Sequence, residues 1–199
     1  MKRAGLIALV FVVILLVLSN YRHFSINYSR SEVEEEPTPQ AAGVGSSFEL
    51  PGLPTRLKIY SIGVDAIVQQ VGLNKKGEMG IPTNYVDVAW YKEGPRPGAP
   101  GSAVIDGHLD GRNTKEAVFY DLEKLKDGDL VEVLDDKGKI FQFRVYDKKV
   151  YNYASSTPEV FTSDGSKMLL NLITCTGDWI AASKIYTQRV VIFTEMVKD

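Results

Sequence analysis

The chain has 199 residues, 44% of them hydrophobic, with 23 basic against 25 acidic side chains for a formal net charge of -2. That length supports one packed domain of ordinary size plus a tail. Near charge balance without a basic block argues against a nucleic-acid binder, which needs a positive field to neutralise phosphates, so peptides or small groups are the expected partners.

The chain opens on Met1-Lys2-Arg3 and an apolar stretch from Ala4 to Leu18, interrupted only by Gly5 and closed by Ser19-Asn20. A spanning helix wants about 20 apolar residues and a signal-peptide core about 7 to 15, so length alone does not decide between them. The flank from Asn20 to Tyr28 lacks the small-x-small pattern of a cleavage site, and residues 1–30 are therefore read as an uncleaved membrane anchor and its flank. Lys2 and Arg3 are nearly matched by Arg22 and Arg30, so charge votes weakly on orientation; the form is that of a signal-anchor with the rest of the chain outside the cytoplasm. Residues 31–49 come next, with Glu32, Glu34, Glu35, Glu36, Pro37 and Pro39, then Ala-Gly-Val-Gly-Ser-Ser. This composition is too polar and flexible for a core and reads as a linker.

From residue 50 to 199 the apolar stretches are short, rich in Val, Ile, Tyr and Phe, and separated by Gly, Pro, Asp and Asn, which is the strand pattern. Strands are predicted over Leu57 to Ile62, Ala66 to Val71, Ala103 to Ile105, Leu130 to Leu134, Ile140 to Val150, Met168 to Ile173 and Val190 to Val197. Alternation on both sides of Asp135-Asp136-Lys137-Gly138 predicts a hairpin. Helix is expected only in short pieces, Thr114 to Lys124 and Pro158 to Phe161. Many strands with little helix predict an all-β sandwich or barrel. The segment from Gly94 to Gly101, dense in proline and glycine, is read as a rigid loop that either lines a cleft beside His108 or merely crosses over.

Cys175 is the only cysteine, so no intramolecular disulfide can form. Taken alone it is read as a buried small hydrophobe more readily than as a nucleophile. It closes the apolar run that begins at Met168, and fourteen residues later Arg189 opens another. His108, in Asp106-Gly107-His108-Leu109-Asp110, is the one imidazole of the domain, since His23 falls in the anchor flank. Thiol chemistry needs a thiolate, hence a base or a nearby cation, and acyl transfer needs donors for the oxyanion, which a guanidinium supplies. Arg189 is placed to do so if its strand runs antiparallel beside that of Cys175, with Thr176 to Gln188 as the connecting loop. Asp110 or Asp106 either orients the imidazole or is a turn residue. Zinc is disfavoured because no C-x-x-C or H-x-x-x-H spacing occurs, phosphate-loop and dinucleotide fingerprints are absent, and there is no G-x-S-x-G.

Leu172-Ile173-Thr174-Cys175, with Gly107-His108 upstream and Arg189 downstream, resembles the signature of the sortases, membrane-anchored cysteine transpeptidases of bacteria. The similarity runs from about Leu57 to Val197 and looks most like the class F branch, on Ile62 to Ala66, Trp90-Tyr91, Gly94 to Gly98, Gly101 to Ile105 and Ala117-Val118-Phe119 followed by Gly128-Asp129. Asn171, where threonine often begins the box, Asp106, where a small residue often precedes Gly-His, and Lys115-Glu116 depart from the pattern. The resemblance implies an eight-stranded β-barrel. It also implies attack by Cys175 on the Thr-Gly bond of an L-P-x-T-G-like signal at the C-terminus of secreted proteins, and transfer of the thioacyl group to a cell-wall precursor amine. His108 is implied as acid and base, Arg189 as holder of substrate and oxyanion, and Thr174 as a support near the oxyanion through its hydroxyl or backbone. No cofactor or metal is implied, although some relatives use calcium; Asp106, Asp110 and Asp178 are not spaced like a calcium loop. The expected location is the bacterial cell membrane, single-pass, with the catalytic domain extracellular. The alternatives are a hydrolytic thiol endopeptidase on the same scaffold and a non-catalytic, membrane-tethered β-domain binding peptide or wall polymer.

Overall fold

The computed structural model describes residues 49–111 and 116–198. The anchor and most of the linker read from the sequence lie outside these residues, and no helix among those described is long and apolar enough to cross a membrane. The strands are β1 (Pro54–Ile59), β2 (Val64–Val71), β3 (Val88–Tyr91), β4 (Gly101–Gly107), β5 (Leu130–Asp135), β6 (Ile140–Asn152), β7 (Met168–Ile180) and β8 (Ile185–Met196), with one short helix, α1 (Pro158–Phe161). They close into a barrel in the order β1-β2-β3-β4-β7-β8-β6-β5. The β2–β3 and β4–β7 pairs are parallel and the others antiparallel. An eight-stranded barrel is just wide enough for side chains to fill its interior.

Alternation along each strand decides what fills it. Ala103 and Ile105 of β4, Phe141 and Phe143 of β6, Leu170 and Leu172 of β7, and Val190 and Ile192 of β8 all point inward and are buried. Each large aliphatic or aromatic side chain so buried contributes about 1.5 to 3 kcal/mol. The opposite face of β4, β7 and β8 is also covered: Val104, Val160, Val191 and Phe193 form a second cluster, joined by Tyr91, Tyr151, Phe161 and Ile173. Two buried faces explain why Met168 to Ile173 and Val190 to Phe193 read as continuous apolar runs rather than as alternating ones.

Four expectations are corrected. Val88–Tyr91 is a strand absent from the predicted set, being only four residues long. The predicted first strand ends at Ile59, and Tyr60–Ile62 is a 3-10 turn. Of the predicted helix from Thr114 to Lys124, residues 114 and 115 lie outside the described part, and the remainder forms a turn and a 3-10 segment, Leu122–Lys124. Phe119, Leu122 and Leu125 recur every third residue and are all buried, the period that a 3-10 turn satisfies. The stretch from Thr176 to Gln188 is no loop. β7 and β8 continue through it as a paired ribbon, broken by a bulge between Thr176 and Trp179, where Gly177 takes φ 79°. The ribbon leaves the barrel, so its tip from Gly177 to Lys184 faces solvent, Trp179 and Ile180 included.

The Gly94–Gly101 segment caps the far end of β4 from His108. Arg96 donates to the Pro51 carbonyl (2.8 Å) and Trp90 Nε1 to that of Pro95 (3.0 Å). Seven residues of strand at about 3.3 Å each, roughly 20 Å, separate it from the imidazole, so the cleft reading fails; the crossover reading fails too, since the loop joins the adjacent antiparallel strands β3 and β4.

Candidate active site

Along β7, Leu170, Leu172 and Thr174 turn into the barrel, leaving Asn171, Ile173 and Cys175 on the outer face; along β8, Arg189, Val191 and Phe193 share that outer face. The ladder pairs Cys175 with Arg189 and Ile173 with Val191, and β4 adds Asp106 beside Ile173. β4 ends at Gly107, and continuing its register with β7 by two residues sets position 108 beside position 175. The three residues singled out for thiol chemistry thus converge on the outer face of the neighbouring strands β4, β7 and β8, where β4 ends.

The turn that carries His108 is held from several sides. Thr174 Oγ1 donates to the Gly107 carbonyl (2.7 Å), tying β7 to the end of β4. Phe119 N–H donates to the His108 carbonyl (3.0 Å) and Ala117 N–H to that of Leu109 (3.2 Å). Glycine is required at 107, because a Cβ there would stand 2.5 Å from the Phe119 ring. The imidazole packs against Tyr85, centroids 5.1 Å apart, and its Nε2 lies 3.0 Å from the Pro82 carbonyl; a carbonyl only accepts, so that nitrogen bears the proton.

Asp110 has a different partner from the imidazole considered for it. It accepts a hydrogen bond from Tyr186 of β8 (2.5 Å), pinning the loop after His108 to the ribbon, and this bond together with burial pushes the Tyr186 phenol up to about 12. Thr174 lies one residue before Cys175. Its hydroxyl is buried and spent on Gly107, so the side chain acts by position.

Arg189 donates to the carbonyls of Gln188 (2.9 Å) and Tyr186 (3.4 Å), and its guanidinium lies 4.8 Å over the Tyr153 ring. It makes no ion pair with any described residue. Burial pushes the Cys175 thiol above its ordinary pKa; Arg189 pulls it down, while Asp106 and Asp110 push it further up.

Beside this cluster a cavity of about 890 Å³ opens on the outer face, within the range of ligand sites. Tyr91, Asp106, Ile173, Arg189 and Val191 form its floor, and segments near Leu73–Ile81 and Tyr151–Phe161 form its walls. Tyr153 donates to Glu78 (3.4 Å), joining the two walls. Asn171, fully buried, donates to the Val160 carbonyl (2.6 Å) and so anchors α1, which closes one side. An amide in the middle of an apolar run was the sequence signal for that anchor. Nothing comparable marked Tyr153 or Tyr186.

A closed β-barrel that presents a thiol, a guanidinium and an imidazole on the outer face of neighbouring strands, next to a peptide-sized cavity, defines a class of architecture that known proteins share. A family model described as the sortase domain matches residues 57–197. No curated protein matches the chain. Solved structures do. Sortase C2 of pilus island 1 from Group B Streptococcus aligns with TM-score 0.56 at 23% identity, over 72% of this chain and 73% of that one. Sortase A from Corynebacterium diphtheriae gives 0.58 at 20% identity, over 76% and 63%, and a sortase D5 transpeptidase from Clostridium perfringens gives 0.55 at 20%, over 75% and 83%. The chain belongs to the sortase family.

Proposed function

We propose that this protein is a class F-like cysteine transpeptidase, anchored by its N-terminus in a bacterial cell membrane with the barrel outside, that joins secreted proteins bearing an L-P-x-T-G-like signal to a cell-wall precursor amine. The observation that carries the reading is the cross-strand pairing of Cys175 with Arg189 at the level of the His108 turn.

The placement of these groups supports the following steps. The thiol proton passes to His108, and the thiolate attacks the threonine carbonyl. The Arg189 guanidinium stabilises the negative oxygen of the tetrahedral intermediate, where fixed donors aimed at developing charge have their largest effect. The C–N bond breaks as His108 returns its proton to the departing glycine amine, leaving a thioester on Cys175. The acceptor amine then attacks the thioester, gives its proton to His108, and releases the thiol. Membrane attachment keeps the barrel close to both substrates. No step calls for a metal or cofactor.

The test is incubation of the full chain with L-P-x-T-G-like peptides, with and without an amine acceptor, followed by intact mass spectrometry. A thioester on Cys175 that resolves to an amide with the acceptor is the expected result. Release to water alone, whatever the acceptor, makes the protein an endopeptidase, and an inert Cys175 with every peptide overturns the enzymatic reading.

A further inference from the structure

Asp106 is a carboxylate that the steps above do not use. It stands on the cavity floor beside Ile173, on the same face as Val191 and Tyr91. No side chain among the described residues donates to it. Arg189, the one cation of the lining, directs its donors at the carbonyls of Tyr186 and Gln188 and stacks on Tyr153. Asp106 is half-buried, and withdrawing a carboxylate from water without a paired cation is costly; that desolvation pushes its pKa up to about 7 despite the pull of Arg189 and a hydrogen bond from the Gly107 backbone. The charged groups lining the cavity are Asp106 and Glu78 against Arg189 alone, so the chamber favours a positive guest.

We propose that Asp106 is a specificity residue that receives a lysine or arginine side chain of the sorting peptide. This rests on the transpeptidase reading for the identity of the guest. Asp106 lies level with Ile173, two residues along β7 from Cys175, a distance of about 7 Å at 3.3 Å per residue. An extended peptide covers that distance in about two residues. The basic residue therefore belongs one or two positions from the attacked carbonyl, in the part of the peptide that lies in the cavity. Its ammonium or guanidinium supplies the counter-charge that Asp106 lacks, while Arg189 stays with the oxyanion.

Two measurements on the full chain test this. In the first, peptides identical except for lysine or norleucine at each position within two residues of the scissile bond compete for acylation of Cys175. At one position the wild type prefers lysine by about tenfold, and Asp106→Asn and Asp106→Ala bring the ratio close to one. In the second, fluorescent versions of the same peptides bind the Cys175→Ala protein. The lysine peptide binds about tenfold tighter, and adding Asp106→Asn removes the difference. Melting temperatures confirm that each variant is folded. A ratio near one in the wild type, or an equal ratio in wild type and variants, overturns the proposal. So does an effect of Asp106 confined to the partition of the acyl enzyme between amine and water, which would place the residue on the acceptor side. Asp106-dependent peptide binding without any thioester sustains the subsite and sinks the transpeptidase reading; acylation that ignores residue 106 does the reverse.

Discussion

Cys175 and Arg189 stand directly across the β7–β8 ladder from each other, where opposed residues have Cβ atoms about 4.5 to 5.5 Å apart. The pairing is part of the barrel's hydrogen-bonded framework rather than of a loop, so the cation is fixed relative to the sulfur before any substrate binds. Its backbone carbonyl contacts and the Tyr153 ring fix the guanidinium in turn.

Replacing Arg189 tests that relationship in two ways. Arg189→Met removes the one influence that lowers the Cys175 pKa, so alkylation of the thiol by iodoacetamide at pH 8 slows relative to wild type. It also removes the oxyanion donor, and acylation by peptide falls by about 10²- to 10³-fold. Arg189→Lys restores most of the alkylation rate, since the charge remains, but little of the acylation, because a point charge lacks the planar donors and stacking of arginine. Equal acylation by the Lys variant and wild type would refute a geometric role for the guanidinium.

Thr174→Val keeps the shape of a buried side chain and deletes its bond to the Gly107 carbonyl. Loss of one buried hydrogen bond costs about 1 to 3 kcal/mol, seen as a lower urea midpoint. Because that carbonyl precedes His108, kcat drops while KM stays near wild type, and Thr174→Ser recovers both. A rise in KM with kcat preserved would place Thr174 on the substrate instead.

How far these relationships were legible in the chain depends on what each residue reports. The strands around Cys175 and Arg189 were readable because burial on both faces leaves mostly apolar residues, with Asn171 the exception, and the barrel follows from many such segments with little helix. The antiparallel placement of Arg189 beside Cys175 was readable from a spacing short enough for one hairpin. The ribbon from Thr176 to Gln188 was hidden because a two-stranded projection in solvent has no continuous or alternating apolar run, only Trp179, Ile180 and Ile185 scattered among polar and small residues. Proline and glycine in Gly94–Gly101 announced stiffness but not which end of β4 the loop would cap. The link from Tyr186 to Asp110 joins residues 76 apart in the chain, a contact that local pattern does not encode. Asp106 was visible as an unusual neighbour of Gly107; its half-buried place in the cavity floor depends on Ile173 and on walls contributed by distant segments.

Asp106 also makes stability depend on pH in a direction opposite to that of a salt-bridged carboxylate. Its pKa rises from the ordinary 3.8 to about 7 in the folded protein, chiefly through burial. Between those values the folded form holds a proton that the unfolded chain has released, so stability falls as pH rises through the window and stays lower above it. The side chain keeps some contact with solvent, so the cost falls short of the full shift, on the order of 1 to 3 kcal/mol. Asp106→Asn has no charge to bury. The variant should match wild type within experimental error near pH 4 and exceed it increasingly up to pH 8, when urea midpoints of the two are compared at each pH. Ion pairs elsewhere, such as Arg56 with Asp65, contribute equally to both proteins and cancel in the difference. A gap that is constant with pH would mean that the Asp106 carboxylate is solvated in the folded state, and would remove the desolvation on which its recognition of a basic side chain depends.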